Sequence, residues 1–287
     1  MLASWSLDAR APYLADHSPG GVPLLPTALC LQALAQACHA RRPGIALAAE
    51  DVLVGEPCLV PPGGPNSTQL LVQLAASPDD AQRATLCSER PAGGHAPHLR
   101  AAFVAQRPGG HGLSPPAHLR VSVDAALVYR QFFHGPAWRV VAGAGWDGEQ
   151  LVARLAPGLP PLRHPGGRAS VLAPRLLELA LQAAGLLEIA RSARSMIPHA
   201  IGRVEQLLPL DEDSGVPLLA IARAGEAPAT IDIDVCTEDG RCAMRVRGYA
   251  TVPLPFASDP DSLAALATAL RAGSGYRSTT TSAAGAH

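Results

Sequence analysis

The chain has 287 residues, enough for one large or two small domains with a sizeable core. Hydrophobic residues make up 48% and charged residues 16%, a globular balance and not a disordered one. A formal net charge of −1 leaves no electrostatic footprint for nucleic acid or an anionic membrane surface.

Residues 1–11 contain no apolar leader core, so the chain is expected in the cytoplasm. Residues 5–16 read as a strand that ends at His17, just ahead of the Ser18-Pro19-Gly20-Gly21 turn. Residues 27–40 read as a helix that is apolar nearly all round, as in a helix surrounded by protein. Strands are expected over 50–60, 69–75, 82–88 and 99–105, with a firm turn at 61–65. The Pro/Gly-rich stretch 106–116 reads as a linker.

A second pass of similar shape follows. Residues 119–126, 138–145 and 149–155 are strand-like, and His164-Pro165-Gly166-Gly167 forms a turn. A helix runs over 174–190, with Pro174 in its first turn. Its longer apolar surround, 171–187, is interrupted by Arg175, Glu178 and Gln182 and does not read as a membrane span. Strands at 200–210, 217–224, 230–236 and 242–253 close the half, the last two joined by an Asp239-Gly240 hairpin. Residues 259–272 form a short amphipathic helix, and 273–287 read as a disordered tail or linker. None of the six cysteines stands in a C-x-x-C pair, so reduced thiols are expected and metal-ligand spacing is absent.

The two halves look like an internal duplication. Gln32-x-x-x-Gln36 in the first helix has its counterpart in Glu178-x-x-x-Gln182 in the second, at one constant offset. His164-Pro165-Gly166-Gly167 stands where the first half has His17-Ser18-Pro19-Gly20-Gly21.

A carboxylate in the middle of an all-round apolar helix must be protonated, paired or open to a cavity. Desolvation is expected to raise the pKa of Glu178 and fit it for general-acid work, with Gln182 one turn on to orient it. Arg175 and Glu188, at the helix ends, are expected near water. If the halves pack about a pseudo-twofold axis, His17 of one faces Glu178 of the other. A base and an acid across one narrow cavity suit β-elimination of water or its reverse. Backbone N–H groups of the Gly20–Gly21 turn and of the helix N-terminus are candidates to hold enolate-like charge. His164 with Gln32 lacks the acid and reads as a remnant.

Several motifs carry a family resemblance. His17-x-x-x-Gly21-x-x-x-x-Pro26, preceded by Tyr13-Leu14-x-Asp16, resembles the signature of polyketide synthase dehydratase domains. With Gln32 and Gln36 it is also similar to the hydroxyacyl-carrier-protein dehydratases of fatty acid synthesis. Phe133-His134-Gly135-Pro136-Ala137-Trp138 resembles the family's YGPxF segment, with His134 in place of the tyrosine. Ala173-Pro174-x-Leu176-Leu177-Glu178-x-x-x-Gln182 resembles the segment of the catalytic acid, with Glu178 where most polyketide dehydratases have aspartate.

The resemblance implies an α+β double hotdog, two curled antiparallel sheets each wrapped around a long helix. The N-terminal hotdog (1–106) would carry the catalytic His17 and the C-terminal one (118–257) the catalytic Glu178. A linker (107–117) would separate them, and a short helix and tail (258–287) would follow. Gln182, Gly21, Tyr13, His134, Gly135 and Pro136 would support the pair, with Pro26, Leu25 and Trp138 lining the substrate pocket. The implied reaction removes water from a (3R)-3-hydroxyacyl thioester to give a trans-2-enoyl product. The substrate rides on the phosphopantetheine arm of an acyl carrier protein, and no metal or dissociable cofactor is implied. Other synthase domains or modules are the implied partners, in a homodimer. A double-bond isomerase or cyclase, and a degenerate scaffold or acyl-binding module, are the alternatives that share this fold.

Overall fold

Pro12 sits at the first position of a helix, where its fixed φ suits the turn and its missing N–H is no loss. The strand expected over 5–16 is therefore two elements in the computed structural model. That model describes residues 2–8, 11–60, 67–76, 81–90, 92–106, 121–162, 170–211, 213–254 and 259–272. Strand β1 is Leu2–Asp8, and the one-turn helix α1 is Pro12–Ala15. A 3-10 turn at Pro19–Gly21 leads to helix α2, Thr27–His39. Strands β2 (Leu47–Val54), β3 (Ser67–Ala76), β4 (Gln82–Glu89) and β5 (His95–Ala105) complete the first half. β2 begins and ends earlier than the pattern at 50–60 indicated.

The second half opens with β6, only Val123–Asp124. The longer strand expected over 119–126 stops there because the Asp124 carboxylate accepts from Leu127 N at 2.9 Å and caps helix α3, Ala125–Val128. A 3-10 turn at Pro136–Trp138 precedes β7 (Val141–Trp146) and β8 (Leu151–Leu155). Helix α4 is Pro174–Ser192, followed by β9 (Met196–Gln206), β10 (Leu218–Ala224), β11 (Ile231–Thr237), β12 (Cys242–Pro253) and helix α5 (Pro260–Ala272). β9 starts and stops four residues before the expected 200–210. Its last side chain, Gln206, turns the chain by donating to the carbonyls of Leu208 (2.7 Å) and Leu210 (3.0 Å). The turns expected at 61–65 and at His164, the 107–117 linker and the tail from 273 lie outside the described residues.

Among the described residues, twelve strands form one sheet in the order β1-β3-β4-β5-β2-β9-β12-β11-β10-β8-β7-β6. After α2 the neighbours run β3-β4-β5-β2, and after α4 they run β10-β11-β12-β9, the same order. The duplication read from the helices is thus carried by the strand topology, and the fold is a double hotdog. The halves join at an antiparallel seam in which Ala49 faces Val204 and Val52 faces Ile201.

Each sheet half curls over its own helix. Fifteen of the 19 residues of α4 are buried, so its stability comes from packing on every side and not from one amphipathic stripe. Leu263, Leu266, Ala267 and Leu270 of α5 are buried against the same core, and Arg271 Nε donates to the carbonyl of Ala190 at 2.7 Å. Arg175, expected near water, is fully buried instead, with Nε donating to the Ala137 carbonyl at 3.1 Å and Nη2 to that of Pro160.

Candidate active site

Gly20 and Gly21 have φ of +64° and +83°, a left-handed pair that glycine adopts without a Cβ penalty. The reversal they make brings Leu24 back to His17. Leu24 N donates to the His17 carbonyl at 2.9 Å, and His17 Nδ1 lies 2.7 Å from the Leu24 carbonyl oxygen. A carbonyl only accepts, so Nδ1 carries the proton and Nε2 is a bare lone pair. Burial, then the nearby His134 ring, pushes the His17 pKa down to about 4. At neutral pH His17 is an uncharged base in one tautomer.

Glu178 lies in the middle of α4. Its Oε1 accepts from Gln182 Nε2 at 2.9 Å, one turn along, and lies 3.1 Å from His134 Nε2. Burial raises the Glu178 pKa most, but the His134 hydrogen bond, the two imidazoles and the Gln182 amide together bring it below the ordinary glutamate value. The elevated carboxyl expected from helix burial alone is therefore corrected: donors from elsewhere in the chain outweigh desolvation. Gln182 is held in turn, since Nε2 also donates to the Trp138 carbonyl (2.9 Å) and Oε1 accepts from Tyr129 Oη (2.8 Å). The Tyr129 hydroxyl accepts from Val141 N at 2.8 Å.

His134 stands between the two halves of the site. Its ring is 5.3 Å from that of His17, and Phe133 stacks on it at 4.3 Å while meeting His17 edge-on at 5.0 Å. Phe133 is 41% exposed, whereas His17, His134 and Glu178 are all buried, so the phenyl ring is the aromatic face this cluster offers to solvent. His17, His134 and Glu178 come from three segments spread over 161 residues of chain and form one cluster that can hold a base and a carboxyl group together.

A family model described as the polyketide synthase dehydratase N-terminal domain matches residues 108–260, more than half of the chain. The chain belongs to the polyketide synthase dehydratase family. A polyketide synthase dehydratase acts in polyketide synthesis, and that coarse role comes with the family. The polyketide synthase ThaG of Burkholderia thailandensis is 26% identical over 262 residues, 85% of this chain; the chain spans 4% of that synthase. Among solved structures, the dehydratase domain of RzxB from Pseudomonas fluorescens superposes with a TM-score of 0.72 at 20% identity, covering 88% of this chain and 94% of that one. The dehydratase domain from the CurF module of curacin polyketide synthase gives 0.71 at 14%, covering 88% and 93%. A trans-AT polyketide synthase dehydratase domain from Brevibacillus brevis gives 0.69 at 18%, also covering 88% and 93%. At these identities the superpositions bear on the fold.

In this polyketide synthase dehydratase domain the remaining sequence candidates fall into two groups. Tyr13 is buried, and its carbonyl accepts from Trp138 Nε1 at 2.6 Å. Gly135 N donates to the Asp16 carbonyl at 2.7 Å, and Pro136 opens the 3-10 turn that sets Trp138 behind His17, ring to ring at 6.1 Å. Trp138 is fully buried and packs against the imidazole, and Leu25 and Pro26 are buried as well. Gly21 N–H donates to the Ser18 carbonyl at 3.1 Å, which removes it as a donor to developing charge. Its part is the turn.

Four contributors carried no role in the sequence reading: Leu24, Tyr129, Phe133 and Asp16. Asp16 joins the halves, accepting from Gly135 N on its carbonyl and from Ala137 N on Oδ2 at 2.8 Å. In the first helix Gln32 takes the place of Glu178, and its Oε1 accepts from Leu172 N at 2.6 Å, an internal structural tie. A cavity of about 650 Å³ lies on that opposite side, lined by Gln36, His39, Val171 and Gln206 among others, away from the His17 cluster. No described helix is long and apolar enough to cross a membrane.

Proposed function

We propose that this domain dehydrates a (3R)-3-hydroxyacyl thioester held on the phosphopantetheine arm of an acyl carrier protein. His17 Nε2 takes a proton from the carbon next to the thioester carbonyl. The neighbouring carbon–oxygen bond breaks, Glu178 acts from its protonated form and gives that proton to the leaving oxygen, and water departs from a new trans-2 double bond. The protonated form is the minor one at neutral pH, because the Glu178 carboxyl is held below the ordinary glutamate value. Both enzyme groups regain their starting protonation when His17 releases its proton and Glu178 takes one up. The observation that carries the reading is the fixed tautomer of His17: the Leu24 carbonyl holds Nδ1–H and leaves a bare nitrogen in the cluster that contains Glu178. Two similar structures are described as inactive mutants of the CurK dehydratase, one with an aspartate changed to asparagine and one with a histidine changed to phenylalanine. Those are the two residue types assigned here, with Glu178 one methylene longer.

No dissociable cofactor enters this scheme. The domain works in the cytoplasm as a homodimer within a larger synthase, beside the acyl carrier protein and other modules. The test is incubation with 3-hydroxyacyl carrier proteins of several chain lengths, followed by mass spectrometry. Loss of 18 mass units, the mass of water, is expected from the wild type and from neither His17→Ala nor Glu178→Gln. Intact wild-type protein that removes no water from any of them would sink the proposal, and turnover by His17→Ala would remove the base.

A further inference from the structure

His134 stands where the resembling motifs carry tyrosine, and its two nitrogens have opposite surroundings. Nε2 lies 3.1 Å from Glu178 Oε1, while Nδ1 is buried without a hydrogen-bond partner. A proton on Nδ1 would be a buried donor with nothing to receive it, whereas a proton on Nε2 points at the carboxylate. We propose that His134 sets the acidity of Glu178, its Nε2–H stabilising the carboxylate that remains once the leaving hydroxyl has taken the proton.

The groups facing Glu178 come from every element around it. Gln182 of α4 donates to the same Oε1, so both bonds converge on one oxygen. His17 is neutral in the resting site and turns cationic after it accepts the substrate proton, adding to the same stabilisation. Tyr129 and Tyr249, whose phenols burial pushes up, stay uncharged. Arg139 is engaged over the Tyr129 ring at 5.5 Å and Arg175 on the carbonyls of Ala137 and Pro160. His134 is thus the donor reaching the acid from the segment that Asp16 clamps to the His17 loop. A donor at the carboxylate gains strength as negative charge develops, so it favours proton release over the resting acid. The arrangement makes Glu178 a stronger acid, whose protonated form gives way to the carboxylate at a lower pH.

This inference rests on the dehydratase reading for its catalytic meaning, but its test does not need turnover. The carboxyl carbon of Glu178 is followed by carbon-13 NMR in glutamate-labelled protein, its signal assigned by loss in Glu178→Gln. In the wild type it titrates below an ordinary glutamate. In His134→Phe, which keeps a planar ring against Phe133 but no donor, the midpoint rises by about one to two pH units. In His134→Gln, which presents a neutral amide N–H, the midpoint stays near that of the wild type. The high-pH limb of kcat moves with these midpoints, upward in His134→Phe and little in His134→Gln. An unchanged midpoint in a folded His134→Phe overturns the proposal, and so does His134→Gln behaving as phenylalanine, which would assign the effect to imidazolium charge. A wild type that titrates low yet removes no water would defeat the dehydratase reading alone.

Discussion

Replacing His17 by asparagine should flatten the acid side of the stability profile. The asparagine amide can still donate to the Leu24 carbonyl, but it does not titrate. In the wild type His17 ionises at about 4 when folded and near 6.5 when unfolded, because burial first and His134 second disfavour the imidazolium. The folded value is depressed, so the stability it contributes is present above about pH 6.5. It is lost as pH falls toward 4, where the unfolded chain binds a proton the folded one refuses. At about 1.4 kcal/mol per pH unit the full loss is ~3 kcal/mol, of which ~2.5 kcal/mol falls between pH 7.5 and 4.5. His17 is only 6% exposed, so solvent screening takes little from this figure. Glu178, also depressed, loses its contribution below its ordinary value, largely outside this window. Urea denaturation of wild type and His17→Asn at both pH values reads the difference directly. Equal losses in the two proteins on acidification would show that His17 is not held neutral by its surroundings.

Tyr129→Phe should cost about 1–3 kcal/mol in the same assay, because it strands the Val141 N–H and one Gln182 acceptor bond inside the protein. It should also lower kcat more than it raises KM, since Gln182 loses the partner that orients it on Glu178. Gly135→Ala should be destabilising by about 1–3 kcal/mol and slow turnover, because a Cβ there meets the Asp16 carboxylate and its Cα at 2.9 Å. Thermal melting and single-turnover rates check both effects.

The candidate site was legible in the sequence as far as helical periodicity and duplication could take it. Glu178 and Gln182 share a face because they are four residues apart, and Gln32 marks the first helix as the partner without an acid. His17 was legible from its Pro/Gly turn. What was missed depends on contacts that no local pattern encodes. Tyr129 reaches Gln182 across 53 residues and Asp16 reaches Ala137 across 121. For the same reason burial predicted the wrong direction for Glu178: the apolar helix is written in its own sequence, whereas the His134 donor arrives from elsewhere. Arg175 failed in the opposite sense, being at a helix end yet fully enclosed, because the segment that covers it supplies carbonyls for its guanidinium. Strand limits drifted where a capping group decided them, as at Asp124.

The seam between β2 and β9 has a consequence for how the molecule comes apart. Each half uses the other as the next strand of its sheet, so unfolding either one strips the ladder from the survivor and bares an unpaired strand edge. The base and the carboxyl group sit on opposite sides of that seam, joined by Asp16. Melting should therefore proceed as one cooperative event, with the geometry of the His17 cluster vanishing together with the last of the sheet.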